Sequence, residues 1–315
     1  MMRAVVVPLD GSELAERAIP YAVGMIEADG GRLVLIRVAL ASAPMNIEGA
    51  GWEQAQLAAV QEAEQYLASV APLWNARVPT TTDVPYGRAA LEILSAVQRH
   101  AADGVVMATH GRTGLAHLIY GSVAEAVIAE SHVPVFLVQA RPGEGSPEPF
   151  DARSARVVVP LDGSSLSESA LHTARDLVVG PGELVLVTVV TPPDHVERDE
   201  FGRVVAYLDQ QEEARTRIAR EYLEVQAVQL RQESPGMTIT VDVRIGRPDQ
   251  GIVMAAVAHQ ADLVVMASHG LTGMRRAIVG SVTGAVLRAG RIPVLVVHPE
   301  EQTVTPQTRR VEARS

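Results

Sequence analysis

The sequence predicts an α/β protein made of two duplicated, doubly wound domains, each with a five-stranded parallel sheet and helices on both faces. Three observations predict it. The chain repeats itself, short Val/Leu/Ile runs alternate with amphipathic segments, and 315 residues suit two domains of ordinary size. The repeat is explicit. Val7–Ser12 reads VPLDGS and Val159–Ser164 reads VPLDGS again, an offset of 152. His110–Val123 (HGRTGLAHLIYGSV) and His269–Val282 (HGLTGMRRAIVGSV) agree at eight of fourteen positions, at an offset of 159. Gly87-Arg88 returns as Gly246-Arg247 at the same 159. The difference of seven residues therefore lies between Ser12 and Gly87, where a loop absorbs it.

The elements follow in order. Arg3–Leu9 is a short apolar strand, and Ser12–Glu27 carries helical spacing through Leu14, Ala18, Tyr21, Ala22 and Met25. Leu33–Leu40 is a second strand and Glu53–Leu73 a longer amphipathic helix. Arg77–Val84 is a third strand and Ala89–Arg99 a third helix. Gly104–Thr109 is a buried strand, Ser122–Glu130 a helix and Val133–Val138 the last strand. The second copy repeats this order, with a second helix over Val204–Gln232. Near-continuous aliphatic runs suit strands covered on both faces, hence a parallel sheet with right-handed crossovers. The expected division is a first domain over 1–140, a linker over 141–155, a second domain over 156–299 and a poorly ordered tail over 300–315. Pro, Gly and charge mark the linker, and the tail has no apolar period.

Composition removes whole classes of function. Cysteine is absent, so disulfides, thiolate nucleophiles and Cys-ligated metal are excluded. All 27 basic residues are Arg, which excludes a Walker A lysine and Schiff-base chemistry. A net charge of −10 with 3% aromatics opposes binding to nucleic acid or an anionic membrane. The opening MMRAVVVPLDGS has an apolar run too short for a signal peptide, and no stretch approaches a membrane span. A cytoplasmic location is expected.

Ligands of doubly wound sheets bind beyond the carboxyl ends of the strands, where the strand order reverses. The sequence places unusual residues at those ends. After strand one come Pro8, Asp10, Gly11 and Ser12; after strand four come His110, Gly111, Gly114, Gly121 and Ser122. Glycines let a phosphate approach backbone N–H groups, and Gly121-Ser122 opens a helix whose free N–H groups and dipole favour an anion. Asp10 repels phosphate, so it suits a base amino group or a sugar hydroxyl. Each residue also has a structural use. Asp-Gly is a turn pair, Ser122-x-x-Glu125 and Ser165-x-x-Glu168 read as capping boxes, and His110 and His269 suit hydrogen-bonded turns.

These residues resemble the universal stress protein family, in a tandem form that covers both halves and that implies Rossmann-like domains. Its nucleotide-binding branch carries G-x2-G-x9-G-[ST] after strand four. Gly111, Gly121 and Ser122 match, as do Gly270, Gly280 and Ser281, but the first glycine is Ala108 in one copy and Ala267 in the other. The resemblance implies ATP, with Mg²⁺ carried on its phosphates. Pro8, Asp10 and Val38 would line the adenosine, with Pro160, Asp162 and Val189 as counterparts. Ala108, Gly111, Arg112, Gly114, Gly121 and Ser122 would line the phosphate side, with Ala267, Gly270, Gly273, Gly280 and Ser281 opposite. Glu125 disfavours a polyphosphate in the first copy, whereas Arg275 and Arg276 favour one in the second. The resemblance also implies pairing of the last strands, an intrachain pseudo-dimer, with association into a homodimer left open.

Four functions compete on this reading, of which a DNA-binding regulator is opposed by charge. The first is an ATP-binding stress-response module. The second is a slow ATPase, opposed by the missing lysine, P-loop and general base. The third is a scaffold that works by protein association, favoured by Ala108 and Ala267.

Overall fold

The computed structural model describes residues 2–40, 50–109, 121–139, 150–152, 154–178, 180–193, 197–198, 204–268, 280–289 and 292–298. The first half runs β1 (Ala4–Pro8), α1 (Glu13–Glu16), α2 (Ala18–Ile26), β2 (Arg32–Ile36), α3 (Ala50–Asn75), β3 (Thr80–Asp83), α4 (Ala89–Arg99), β4 (Gly104–Ala108), α5 (Ser122–Glu130) and β5 (Val135–Val138). The second runs β6 (Arg156–Pro160), α6 (Ser165–Leu177), β7 (Glu183–Val190), β8 (Glu197–Arg198), β9 (Val204–Ala206), α7 (Leu208–Glu233), β10 (Thr238–Ile245), α8 (Pro248–Ala258), β11 (Leu263–Ala267), α9 (Ser281–Ala289) and β12 (Val294–Val297).

Within each half all strand pairs of the five-stranded sheet are parallel, in the orders β3-β2-β1-β4-β5 and β10-β7-β6-β11-β12. The order reverses between β1 and β4, and again between β6 and β11. The last strands pair antiparallel, Leu295 opposite Phe136, so the halves share one ten-stranded sheet. A separate pair, β8 with β9, is antiparallel.

Strand side chains alternate between two apolar layers. Val5, Val7, Leu33, Leu35 and Phe136 face α1, α2 and α3, whereas Val6, Val34, Ile36 and Leu137 face α4 and α5. Burial on both sides explains why these strands read as unbroken aliphatic runs. At the seam, Tyr21, Phe136 and Phe150 cluster with ring centroids 5.7–6.1 Å apart. Phe150 and Ala152 are buried there, so the end of the proline-rich connection packs into the core. Gly24 of α2 permits it, since a Cβ at that residue would lie 1.7 Å from the Phe150 carbonyl oxygen.

Several expected elements change at their ends. The helix over Ser12–Glu27 is broken at Arg17, because the ring of Pro20 clashes with the carbonyl four residues earlier, that of Glu16. The helix expected to start at Val204 begins at Leu208, since residues 204–206 pair with β8. Ser122 is the first helical residue of α5 rather than its N-cap. The carbonyl of Gly121 accepts from Glu125 N–H, which makes Gly121 the cap. In α6 the N-cap is Ser164, whose hydroxyl accepts from Ser167 N–H, and not Ser165. Among the described residues no helix is long and apolar enough to cross a membrane.

Candidate functional site

The turn after β1 is built by its own residues. Leu9 N–H donates to the Ile36 carbonyl at 2.8 Å, which carries the chain one residue past the strand. Asp10 then accepts from Ser12 twice through Oδ1, at 2.9 Å from N–H and 2.6 Å from the hydroxyl. Ser12 in turn caps α1 by accepting from Ala15 N–H. Gly11 lies between them with φ +86°, a conformation that favours glycine. The second half repeats every feature. Leu161 N–H donates to Val187, Asp162 Oδ1 accepts from Ser164 at 3.0 and 2.5 Å, and Gly163 has φ +81°. Burial works to raise the Asp162 pKa, but hydrogen bonds from Ser164 and Ser167 outweigh it and hold the carboxyl below the usual range. Asp162 is therefore an anion and an acceptor at neutral pH. A carboxylate has about four acceptor positions, and the serine turn occupies one oxygen.

The ends of β4 and β11 are tied to the starts of α5 and α9 by backbone hydrogen bonds. Thr109 N–H continues the ladder to Val138, and Gly121 N–H comes back to Thr109 O at 3.0 Å. In the second half Ser268 bonds Val297, and Gly280 N–H returns to Ser268 O at 2.8 Å. The start of α5 thus stands at the carboxyl end of β4, beside β1, at the reversal of strand order. Among the described residues no side chain caps α5 at Gly121, so the first turn carries the partial positive charge of a helix start. Thr283 ties α9 to β11 by donating to Ala267 O at 2.9 Å, where the first half has Ala124.

The structure brings Pro8, Asp10, Val38, Ala108, Gly121 and Ser122 to one rim, and likewise Pro160, Asp162, Val189, Ala267, Gly280 and Ser281. Ala108 and Ala267 end strands β4 and β11, paired with Val138 and Val297. Neither has a positive φ, so the first position of the glycine pattern is met by alanine without backbone strain. His110, Gly111, Arg112, Gly114, His269, Gly270, Gly273, Arg275 and Arg276 lie outside the described residues.

Three features escaped the sequence reading, the last two of them repeated in both halves. Arg37, directly after β2, is only 9% exposed. It pairs with Glu62 at 2.7 Å, covers the Tyr66 ring at 4.7 Å and backs Gly11. Its counterpart Thr188 instead donates to Leu161 O at 2.9 Å. Tyr66 donates to Glu16 and Tyr222 to Glu168, at 2.8 and 3.0 Å. Burial, then the adjacent carboxylate, pushes both phenols well above their ordinary pKa. Finally, His100 bonds Asp83 at 2.9 Å and His259 bonds Asp242 at 3.0 Å, tying α4 and α8 to the edge strands. The offsets of 152, 156 and 159 repeat Glu, Tyr, Asp and His, a signal that comparison of the two halves residue by residue would have found.

Among the described residues no three His, Asp or Glu side chains gather to hold a metal ion. A depression of about 530 Å³ lined by Arg175, Asp176, Ser234 and Met237 lies at the opposite, amino end of β7 and β10.

A family model described as "Universal stress protein family" matches residues 1–139 and 154–298. Universal stress protein Rv2005c of Mycobacterium tuberculosis is 31% identical over 198 residues, 62% of this chain and 61% of that protein. The chain thus matches about three-fifths of that relative's length. Universal stress protein MJ0531 of Methanocaldococcus jannaschii is 29% identical over 143 residues, 44% of this chain and 83% of that protein. A crystal structure of a universal stress protein from Archaeoglobus fulgidus shares the fold, with a TM-score of 0.66 and 21% identity over 94% of this chain and 98% of that one.

Proposed function

The chain belongs to the universal stress protein family, and from that premise we propose that it binds one adenine nucleotide in each half and acts as a stress-response regulatory module. The observation that carries this is the pairing, at each reversal of strand order, of an aspartate turn with the start of a Gly-Ser helix. The two parts are chemically complementary. A carboxylate that accepts hydrogen bonds suits the amino and hydroxyl groups of adenosine, and a helix start suits its phosphates. Asp10 and Val38, or Asp162 and Val189, would meet the nucleoside. The N–H groups that follow Gly121 and Gly280, with the hydroxyls of Ser122 and Ser281, would hold phosphate oxygens. Mg²⁺ would arrive on the nucleotide, its charge balanced by those phosphates.

Slow hydrolysis is a secondary reading. The described residues at the phosphate end include Glu125 but no lysine and no paired acid and base, which favours holding the nucleotide over turning it over. The acidic, lysine-free chain further supports a role away from nucleic acid and membrane, in the cytoplasm.

The test is Asp162→Ala, read by calorimetry with adenosine and with Mg-ATP. Losing an acceptor to the nucleoside should weaken both ligands alike, by about tenfold at that site. Selective loss of ATP with adenosine unchanged would refute the assignment of Asp162 to the nucleoside.

A further inference from the structure

The two carboxyl rims match in position but not in charge. In the first half three neighbouring segments stand side by side: Asp10 after β1, Val38 after β2 and Arg88 after β3. Their order is fixed by hydrogen bonds. Ala39 and Tyr86 form a parallel bridge, and Ala39 N–H donates to Pro85 O at 2.8 Å. Neighbouring strands lie about 4.8 Å apart, so the chain at Arg88 is about two spacings from Asp10, close to the length of a nucleoside.

Arg88 is exposed, and among the described residues its guanidinium has no hydrogen-bond or ion-pair partner. Glu92, the acid beside Gly87, turns to Arg99 at 3.6 Å. In the second half the equivalent Arg247 is clamped by both oxygens of Asp249, at 3.3 and 3.0 Å, where the first half has Ala90. Below the first rim Arg37 is already compensated by Glu62, and the second rim has uncharged Thr188 there, so neither adds free charge. The rims therefore differ at one cation: among the described residues Arg88 has no ion-pair partner, whereas Arg247 is paired with Asp249.

We infer that the first-half site selects adenine nucleotides bearing a second phosphate on the ribose, at the 2′ or 3′ position, with Arg88 as the residue that contacts it. This rests on the reading that adenosine lies along Asp10 and Val38. In the dinucleotide-binding form of the doubly wound sheet an acidic residue bonds the ribose 2′-hydroxyl, and an arginine nearby accommodates a 2′-phosphate instead. Arg88 exchanges only water for that phosphate, whereas Arg247 must first give up Asp249. A planar guanidinium also matches phosphate with two parallel hydrogen bonds.

Calorimetry on the full chain with AMP, adenosine 2′,5′-bisphosphate and adenosine 3′,5′-bisphosphate tests this. One site should prefer a bisphosphate over AMP by about tenfold or more, the strength of one charge-assisted contact. Arg88→Gln should abolish that preference while leaving AMP affinity unchanged, and Arg247→Gln should preserve it. Equal affinity for AMP and both bisphosphates overturns the inference alone, as does a preference that survives Arg88→Gln. Failure of every adenine nucleotide to bind overturns the underlying reading and this inference with it.

Discussion

Gly121→Val separates binding from folding at the first site. Gly121 has φ −64° and ψ 156°, extended values that any residue adopts. Among the described residues, a Cβ built there has no heavy atom within 4 Å. The substitution therefore meets no clash with the described residues and no left-handed backbone. Its only structural cost is a poorer N-cap, on the order of 1 kcal/mol or less. For a chain of 315 residues that corresponds to a fall in Tm of about 1.5 °C or less. The same Cβ and its two methyls would occupy the space through which a phosphate reaches the α5 N–H groups. Losing one or two charge-assisted hydrogen bonds costs about 1.5–3 kcal/mol each, or roughly tenfold to more than a hundredfold in affinity. Thermal unfolding and Mg-ATP calorimetry read the two effects separately. The expected outcome is a nearly unchanged melting curve with binding stoichiometry reduced from two to one. A variant that folds and still binds two ATP at wild-type affinity would refute the assignment of phosphates to the start of α5.

Three further outcomes follow from the fold. Phe136→Ala empties a fully buried position at the seam and should cost about 3–5 kcal/mol in urea unfolding; a loss below about 1 kcal/mol would contradict the aromatic packing described. Ala101, with φ +42° after the C-cap of α4, should gain roughly 0.5–1 kcal/mol as Ala101→Gly, since relieved left-handed strain exceeds the added chain entropy; destabilisation would count against that strain. Asp83 and Asp242 are raised by burial but pulled lower overall, Asp83 by Arg99 and His100 and Asp242 by Arg244 and His259. A lowered folded pKa contributes stability above the unfolded value of about 3.9 and loses it as pH falls through the folded value. Wild type should therefore lose stability on acidification below pH ~4 more steeply than Asp83→Asn/Asp242→Asn, which should be less stable at pH 7; parallel acid curves would refute this.

Much of the fold is legible because duplication and burial both write directly into sequence. Eight shared residues in fourteen locate the second copy, and strands buried on both faces cannot avoid aliphatic runs such as Val5–Val7 and Leu184–Val187. Other features depend on contacts that no local pattern encodes. Pro20 interrupts the first helix through the carbonyl of Glu16, four residues back. Residues 204–206 become a strand only because Glu197–Arg198 pairs with them. A Ser-x-x-Glu pattern could not tell whether Gly121 or Ser122 takes the cap, which the Glu125-to-Gly121 hydrogen bond decides. At the site, the aspartate turns were readable from VPLDGS. Arg37 was not, because an arginine ending LVLIR looks like a solvated strand end until Glu62 and Tyr66 fold over it.

The central claim is that this chain holds adenine nucleotide at its carboxyl rims. The most direct measurement is to denature the purified full chain and chromatograph the released small molecules against adenine nucleotide standards. Adenine nucleotide at one to two per chain is the predicted result, with ATP at the second half and Ala108 and Ala267 no obstacle. Protein that releases none, and that gives no heat on titration with Mg-ATP, would contradict the account and make the two helix starts purely structural.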